Sequence, residues 1–198
     1  MAMDTLKFKP MLFPNDELDL NKIDYPILCT VKYDGVRLIF KDGRMYNRSM
    51  KLVPNEKLQE YFHELRDISW DKKIILDGEF FIPGMLCSDI TSYVTSYSKE
   101  IPKEAHVVLF DIVSNARYTD RLDILRRLQL PMNAKVINTV QANSKEKVQE
   151  LFEQELNRGA EGLVLRSLYG KYKFGRVTIK EGNAYKMKPY MTYDDKEV

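Results

Sequence analysis

ILCTVKYDGVRLIFKDGRMYNRS, residues 27–49, decides how this chain is built. ILCTVKY is an apolar, β-prone run, VRLIF repeats it after Asp34-Gly35, and MYNRS follows the turn Lys41-Asp42-Gly43-Arg44. An Asp-Gly pair between apolar runs marks a hairpin, because the tight turn needs two residues that tolerate positive φ. Three short strands in 23 residues require an antiparallel β framework. Outward from it, residues 1–26 carry three prolines and no periodicity, and read as an extended entry. NEKLQEYFHELR (55–66) places Leu58, Tyr61, Phe62 and Leu65 on one helical face. IILDGEFFI is a strand ended by Pro83-Gly84. Residues 88–98 fit a short helix, HVVLFDIV a buried strand, Arg121 to Leu128 a helix and KVINTV a strand. Ser144 caps a helix with Val148, Leu151, Phe152 and Leu156 inside, ending near Gly159. GLVLRSL, RVTIK and AYKMK read as three further strands. Hairpins mixed with helices give an α+β class.

A chain of 198 residues makes one substantial domain or two small lobes sharing a cleft. With 44% hydrophobic and 30% charged residues it is neither disordered nor membrane-spanning in character. MAMDTLKFKP at the N-terminus lacks the apolar core of a secretory signal, so a cytoplasmic protein is expected, in a bacterium or, for a viral chain, its host. Cys29 and Cys87 form no metal-ligand pattern and no disulfide framework, and two histidines, His63 and His106, do not make a His-rich site or triad. Any metal chemistry rests on carboxylates, which suits magnesium. The net charge of +2 says little about partners. Its distribution says more: Arg166, Lys171, Lys173, Arg176, Lys180, Lys186 and Lys188 face a single acid, Glu181, among Tyr169, Tyr172 and Phe174. That stretch fits a phosphate-tracking surface or, equally on charge alone, a strand edge guarded by lysines.

KYDGVR (32–37) sets a lysine at a strand end before a glycine turn, with an arginine returning on the next strand. Alone, it is also compatible with a plain hairpin with charged edges. It is followed by LDGEFF (76–81), VLFDIV (108–113), EGLVLR (161–166) and YKMKP (185–189). In order and spacing these resemble the motif series of the covalent nucleotidyltransferases: ATP-dependent DNA ligases, RNA ligases and mRNA capping guanylyltransferases. KYDGVR with YNRSMKLVPN and KMKP is most similar to small bacteriophage-type ATP-dependent DNA ligases. Capping enzymes often carry a Trp where Met187 stands, and RNA ligases more often lack the arginine of Arg37.

The resemblance implies one nucleotidyltransferase domain over 1–198, an ATP-grasp-like fold of two antiparallel sheets flanked by helices, with the nucleotide in a cleft between them. It implies that Lys32 attacks the α-phosphate of ATP to form lysyl-AMP, an attack that needs a neutral amine favoured by burial and nearby cations. Thr30, Arg37, Arg48, Glu79, Phe110, Lys186 and Lys188 are the implied nucleotide-binding residues: Glu79 for ribose hydroxyls, Phe110 for the purine face, Lys186 and Lys188 for the α-phosphate. Glu161 is the implied magnesium-associated carboxylate. Asp34 orients the amine or forms a turn, and Asp111 assists a metal or secures the strand end. Each has a structural alternative: a salt bridge for Arg37 and Glu79, a core aromatic for Phe110. The implied partners are ATP and nicked double-stranded DNA, with no membrane, for a monomer. Ligases of this kind carry an OB-fold domain after the last lysine motif. Only ten residues follow Lys188 here, so that domain is expected outside this sequence, and slow self-adenylation is expected without it. The competing expectations are an RNA ligase, a capping guanylyltransferase, or a catalytically silent binding module.

Overall fold

The structure is a computed structural model describing residues 7–189. In chain order its strands are β1 (Ile27–Val31), β2 (Val36–Lys41), β3 (Arg44–Asn47), β4 (Leu76–Phe81), β5 (His106–Ile112), β6 (Ala134–Val136), β7 (Val140–Ala142), β8 (Leu163–Ser167) and β9 (Ala184–Met187). The helices are α1 (Glu56–Tyr61), α2 (His63–Asp71), α3 (Cys87–Thr95), α4 (Tyr118–Arg126) and α5 (Lys145–Asn157). Two sheets result, one ordered β7-β1-β8-β9 and one ordered β3-β2-β4-β5-β6.

The Asp42-Gly43 turn joins β2 to β3 with φ of 51° and 71°, as a two-residue hairpin requires. Asp34-Gly35 does something else. β1 pairs with β7 and β8, whereas β2 pairs with β3 and β4, so KYDGVR is no hairpin but the crossing from one sheet to the other. KVINTV makes a second crossing. The expected single strand is two: β6 ends at Val136 in the five-stranded sheet and β7 starts at Val140 in the four-stranded one. Among the described strands every pairing is antiparallel except β5 with β6, whose connection runs through α4 and returns in the same direction, and an isolated bridge joins Leu12 to Arg176 in parallel. RVTIK is not a strand. Val177 N–H donates to the Leu12 carbonyl, and Glu181 accepts from Thr178 N–H at 2.6 Å, capping a single 3-10 turn at Ile179–Glu181.

The expected helix at 55–66 starts after Asn55, which caps it from its side chain, but the backbone kinks at Phe62 and a second helix follows. Its inner face holds, since Leu58, Phe62 and Leu65 are fully buried beneath the five-stranded sheet with Phe40 and Phe80. Each such side chain contributes roughly 1.5–3 kcal/mol on leaving water. α3 lies where the short helix is expected, α4 starts three residues before the expected Arg121 and ends at Arg126, and Ile90, Val94, Leu122 and Leu125 join the same core. α5, capped by Ser144, packs Val148 and Leu151 on the four-stranded sheet with Ile27, Cys29 and Leu165. A third cluster, including Phe8, Met11, Ile39, Ile75, Tyr172 and Val177, joins the entry segment to the β8–β9 connection.

Candidate active site

A cavity of about 480 Å³ lies where the two sheets face each other. Its walls take Thr30 from β1, Arg37 from β2, Glu79 from β4, Phe110 from β5, Val164 and Arg166 from β8 and Lys186 from β9, with Lys32, Asp34, Glu161 and Lys188 at the strand ends. Every nucleotide-binding or nucleophile candidate read from the sequence, with Glu161, therefore borders one cavity, Arg48 included, whereas Asp111 is not among its lining residues.

Two glycines explain why the chain can close so tightly here. A Cβ on Gly35 would sit 2.4 Å from the Phe80 carbonyl oxygen, so only a bare backbone lets the crossing press against β4. Gly162 has φ of 149°, and a Cβ there would sit 2.1 Å from the Met187 carbonyl oxygen. Its own carbonyl accepts from Lys32 N–H at 2.9 Å. Gly162 thus holds Glu161, Lys32 and the end of β9 within reach of one another.

The Glu161 carboxylate is hydrogen-bonded by both Lys32 Nζ and Lys188 Nζ. Burial is the largest single influence on Glu161 and opposes its ionisation, but the two lysines outweigh it and leave the carboxyl below its ordinary range. The side chains of Lys32 and Glu161 each keep 24% of their surface exposed, enough for a ligand to reach them. Lys186 donates to Asn15 Oδ1 at 2.7 Å, and its pKa is lowered by burial and then by Lys188, Arg176, Lys32 and Arg48. Such a concentration of cations suits a polyphosphate. Glu79 stands opposite. Burial raises its carboxyl to about 7 against the pull of Arg37 and Lys32, and no side chain among the described residues hydrogen-bonds it.

Thr30 is buried and its Oγ1 donates to the Val164 carbonyl at 3.2 Å. The guanidinium of Arg37 is held by Asp77, through Nε at 2.7 Å and Nη2 at 2.5 Å, and by the Met11 carbonyl at 2.7 Å. Its salt-bridge alternative is what the structure displays, though with Asp77 of β4 and not within a KYDGVR hairpin. It also lies 5.3 Å from the Phe110 ring centroid. Arg48 is exposed at the rim. Asp34 accepts weakly from Cys87 N–H at 3.4 Å. Asp111 secures its strand end: its carboxylate is fully buried and takes Arg121 at 2.7 Å and Arg166 at 2.5 Å. On the basic stretch, Lys173 is paired with Glu181 at 2.6 Å.

Sequence reading missed the buried ionic floor of the cavity, made of Asp77, Asp111, Arg121, Arg166, Tyr118 and Tyr172. Tyr172 donates to Asp77 Oδ2 at 2.6 Å, and burial followed by Asp77 raises its phenol far above the ordinary range. The available signal was Asp77 and Asp111 inside apolar strand runs, since an unpaired charge there would be costly.

The family model described as ATP dependent DNA ligase domain matches residues 10–188. The chain belongs to the ATP-dependent DNA ligase domain family. Comparison with curated proteins returned no match. Among solved structures, this ligase domain is similar to Chlorella virus DNA ligase-adenylate, at 28% identity over 91% of this chain and 68% of that one, with a TM-score of 0.75. A second structure of Chlorella virus DNA ligase-adenylate aligns with a TM-score of 0.77, at 28% identity over 91% of this chain and 67% of that one. The ATP-dependent DNA ligase of bacteriophage T7 in complex with ATP shares the fold, at 18% identity over 92% of this chain and 69% of that one, TM-score 0.66. Ligases of this family are ATP-using nucleotidyltransferases, and this chain is their adenylation domain.

Proposed function

We propose that this domain forms lysyl-AMP at Lys32 and passes the adenylate to the 5′-phosphate of nicked duplex DNA, working as a monomer. One observation carries the reading: Lys32 and Lys188 share the Glu161 carboxylate beside Lys186, in a cavity that also offers Phe110 and an unbonded Glu79. In the first step Lys32 Nζ bonds to the α-phosphorus of ATP, the bond to the bridging oxygen breaks, pyrophosphate leaves and the amine loses a proton. Glu161 orients the amine. Lys186 and Lys188 offset the charge growing on the α-phosphate oxygens. Phe110 stacks on the purine, and Glu79 accepts from the ribose hydroxyls once ionised. The DNA 5′-phosphate then displaces Lys32, and attack by the 3′-hydroxyl closes the phosphodiester and expels AMP.

Magnesium fits the donor set. It takes hard oxygen ligands, keeps several waters and needs only one or two carboxylates beside the phosphates. Glu161 is the carboxylate that would hold it, in exchange for a lysine. Bound there, it would neutralise phosphate charge. Among the described residues no group of three or more His, Cys, Asp or Glu side chains is placed to hold a metal ion by itself.

The test is intact mass after incubation with magnesium and either ATP or GTP, over hours, beside Lys32→Ala. An AMP adduct on Lys32 alone, discharged on adding a 5′-phosphorylated nick, is expected. A GMP adduct, or no adduct at Lys32, defeats the reading. An adduct that survives nicked DNA but discharges on nicked RNA moves the substrate to RNA.

A further inference from the structure

Beneath the cavity, three charged side chains are sealed from water. Asp111, Arg121 and Arg166 are 0%, 0% and 3% exposed. Asp111 Oδ1 accepts from Arg121 Nε at 2.7 Å, and Oδ2 accepts from Arg121 Nη2 at 3.1 Å and Arg166 Nη2 at 2.5 Å. Arg121 also donates to the carbonyls of Ala116 and Gly170, at 2.6 and 2.9 Å. The guanidinium of Arg166 lies 4.0 Å from the Tyr118 ring centroid, and Tyr118 Oη donates to the Phe110 carbonyl at 3.2 Å.

These contacts join two structural units that have to agree in position. Asp111 directly follows Phe110 on β5, in the five-stranded sheet. Arg166 sits on β8 in the four-stranded sheet, paired with Leu28 of β1 and Ala184 of β9. β1 leads to Lys32 and β9 carries Lys186, while Glu161 precedes β8. Arg166 is thus the side chain that crosses from the sheet of the nucleophile to the strand of the purine platform, and its charge and its flat face are both used. Two arginines on one carboxylate leave an excess positive charge under the site. A fold that needed only stability would be served as well by apolar side chains of similar volume.

We propose that Arg166 is a positioning residue for adenylate transfer, fixing the Phe110 platform relative to the Lys32 amine through Asp111 and Tyr118. The inference rests on the assignment of Lys32 as nucleophile. If the purine is set by Phe110 and the attacking nitrogen by β1, slack between the sheets moves the α-phosphorus off the line of attack while leaving the stack intact. Rate falls and affinity stays, and misplacement of about 1 Å lowers a rate by about 100-fold.

The experiment uses the whole chain with Arg166→Lys, which keeps the charge but loses the fork and the stacking face, and Tyr118→Phe, which removes one hydroxyl. Adduct formation per folded molecule at saturating ATP is followed by mass, ATP affinity by calorimetry and folding by thermal melting. Arg166→Lys is expected to slow adenylation by about 10–100-fold and Tyr118→Phe by about 3–10-fold, both with ATP affinity within about threefold of the parent. A purely structural role would lower the folded fraction and leave the rate per folded molecule unchanged, and that result overturns the proposal. If Arg166→Lys does not fold, Tyr118→Phe decides alone, and an unaltered rate overturns it. A parent chain that never labels defeats the ligase reading and this inference together. A parent that labels, with variants that match it, defeats this inference only.

Discussion

Replacing Gly162 by alanine puts a methyl group where the structure has none to spare. The added carbon would stand 2.1 Å from the Met187 carbonyl oxygen, whereas a carbon–oxygen contact needs roughly 3.3 Å. The obstacle is backbone, so no rotamer relieves it, and β8 and β9 must part by about 1 Å. The φ of 149° adds about 1–3 kcal/mol of backbone strain for a residue with a side chain, and overpacking adds about 1–3 kcal/mol. A loss of about 2–6 kcal/mol leaves a domain of ordinary stability mostly folded at low temperature. Activity is hit harder. Lys188 follows Met187 directly, Glu161 precedes Gly162, and the Gly162 carbonyl holds Lys32 N–H. All three move with the displacement, so Gly162→Ala is expected to slow lysyl-AMP formation about 100-fold. Adduct mass against time at saturating ATP, on protein confirmed as folded by circular dichroism, measures it. A variant that melts and labels like the parent would refute the role given to this glycine.

Asp111→Asn strands Arg121 and Arg166 without their carboxylate, and urea unfolding is expected to show a loss of about 3–5 kcal/mol; a loss under about 1 kcal/mol would mean the charges find water. Glu79 has a folded-state pKa of about 7, above its unfolded value, so its contribution is greatest below about pH 4.5 and is lost as pH rises through 7. Glu79→Gln removes that cost, so its stability relative to the parent should rise by up to about 3 kcal/mol from about pH 5 to pH 8, and a difference that stays constant across that range contradicts the burial argument. Ser144→Ala removes the side-chain acceptor for Lys147 N–H at the start of α5, with an expected melting-curve loss of about 1 kcal/mol and no change in labelling.

The legible part of this fold was what local chemistry dictates. The turn at Asp42-Gly43, the cap at Ser144 and the buried face of Leu58, Phe62 and Leu65 are all properties of neighbours in sequence. The candidate site residues followed from the resemblance of the motif series to a known family, and they border one cavity. Partner choice was not legible. Nothing within KYDGVR says that the strand before it and the strand after it serve different sheets, and KVINTV looks continuous although its halves part company. RVTIK has strand composition, yet its pairing stops at a single bridge between Arg176 and Leu12, and the side-chain cap at Thr178 and Glu181 turns the chain into a 3-10 turn. Arg37 could be read as a ligand or as a salt bridge, and only the position of Asp77 across the sheet reveals its ion pair.

The chain passes between its two sheets at Lys32–Gly35 and again at Ile137–Thr139. Such passages are short, and the first of them carries Lys32, the proposed nucleophile. On that proposal the nucleophile shares its backbone with both sheets, so a slip of one against the other reaches it directly. The buried pair of Arg166 with Asp111, which ties the two sheets beneath the cavity, is what would keep such a slip small.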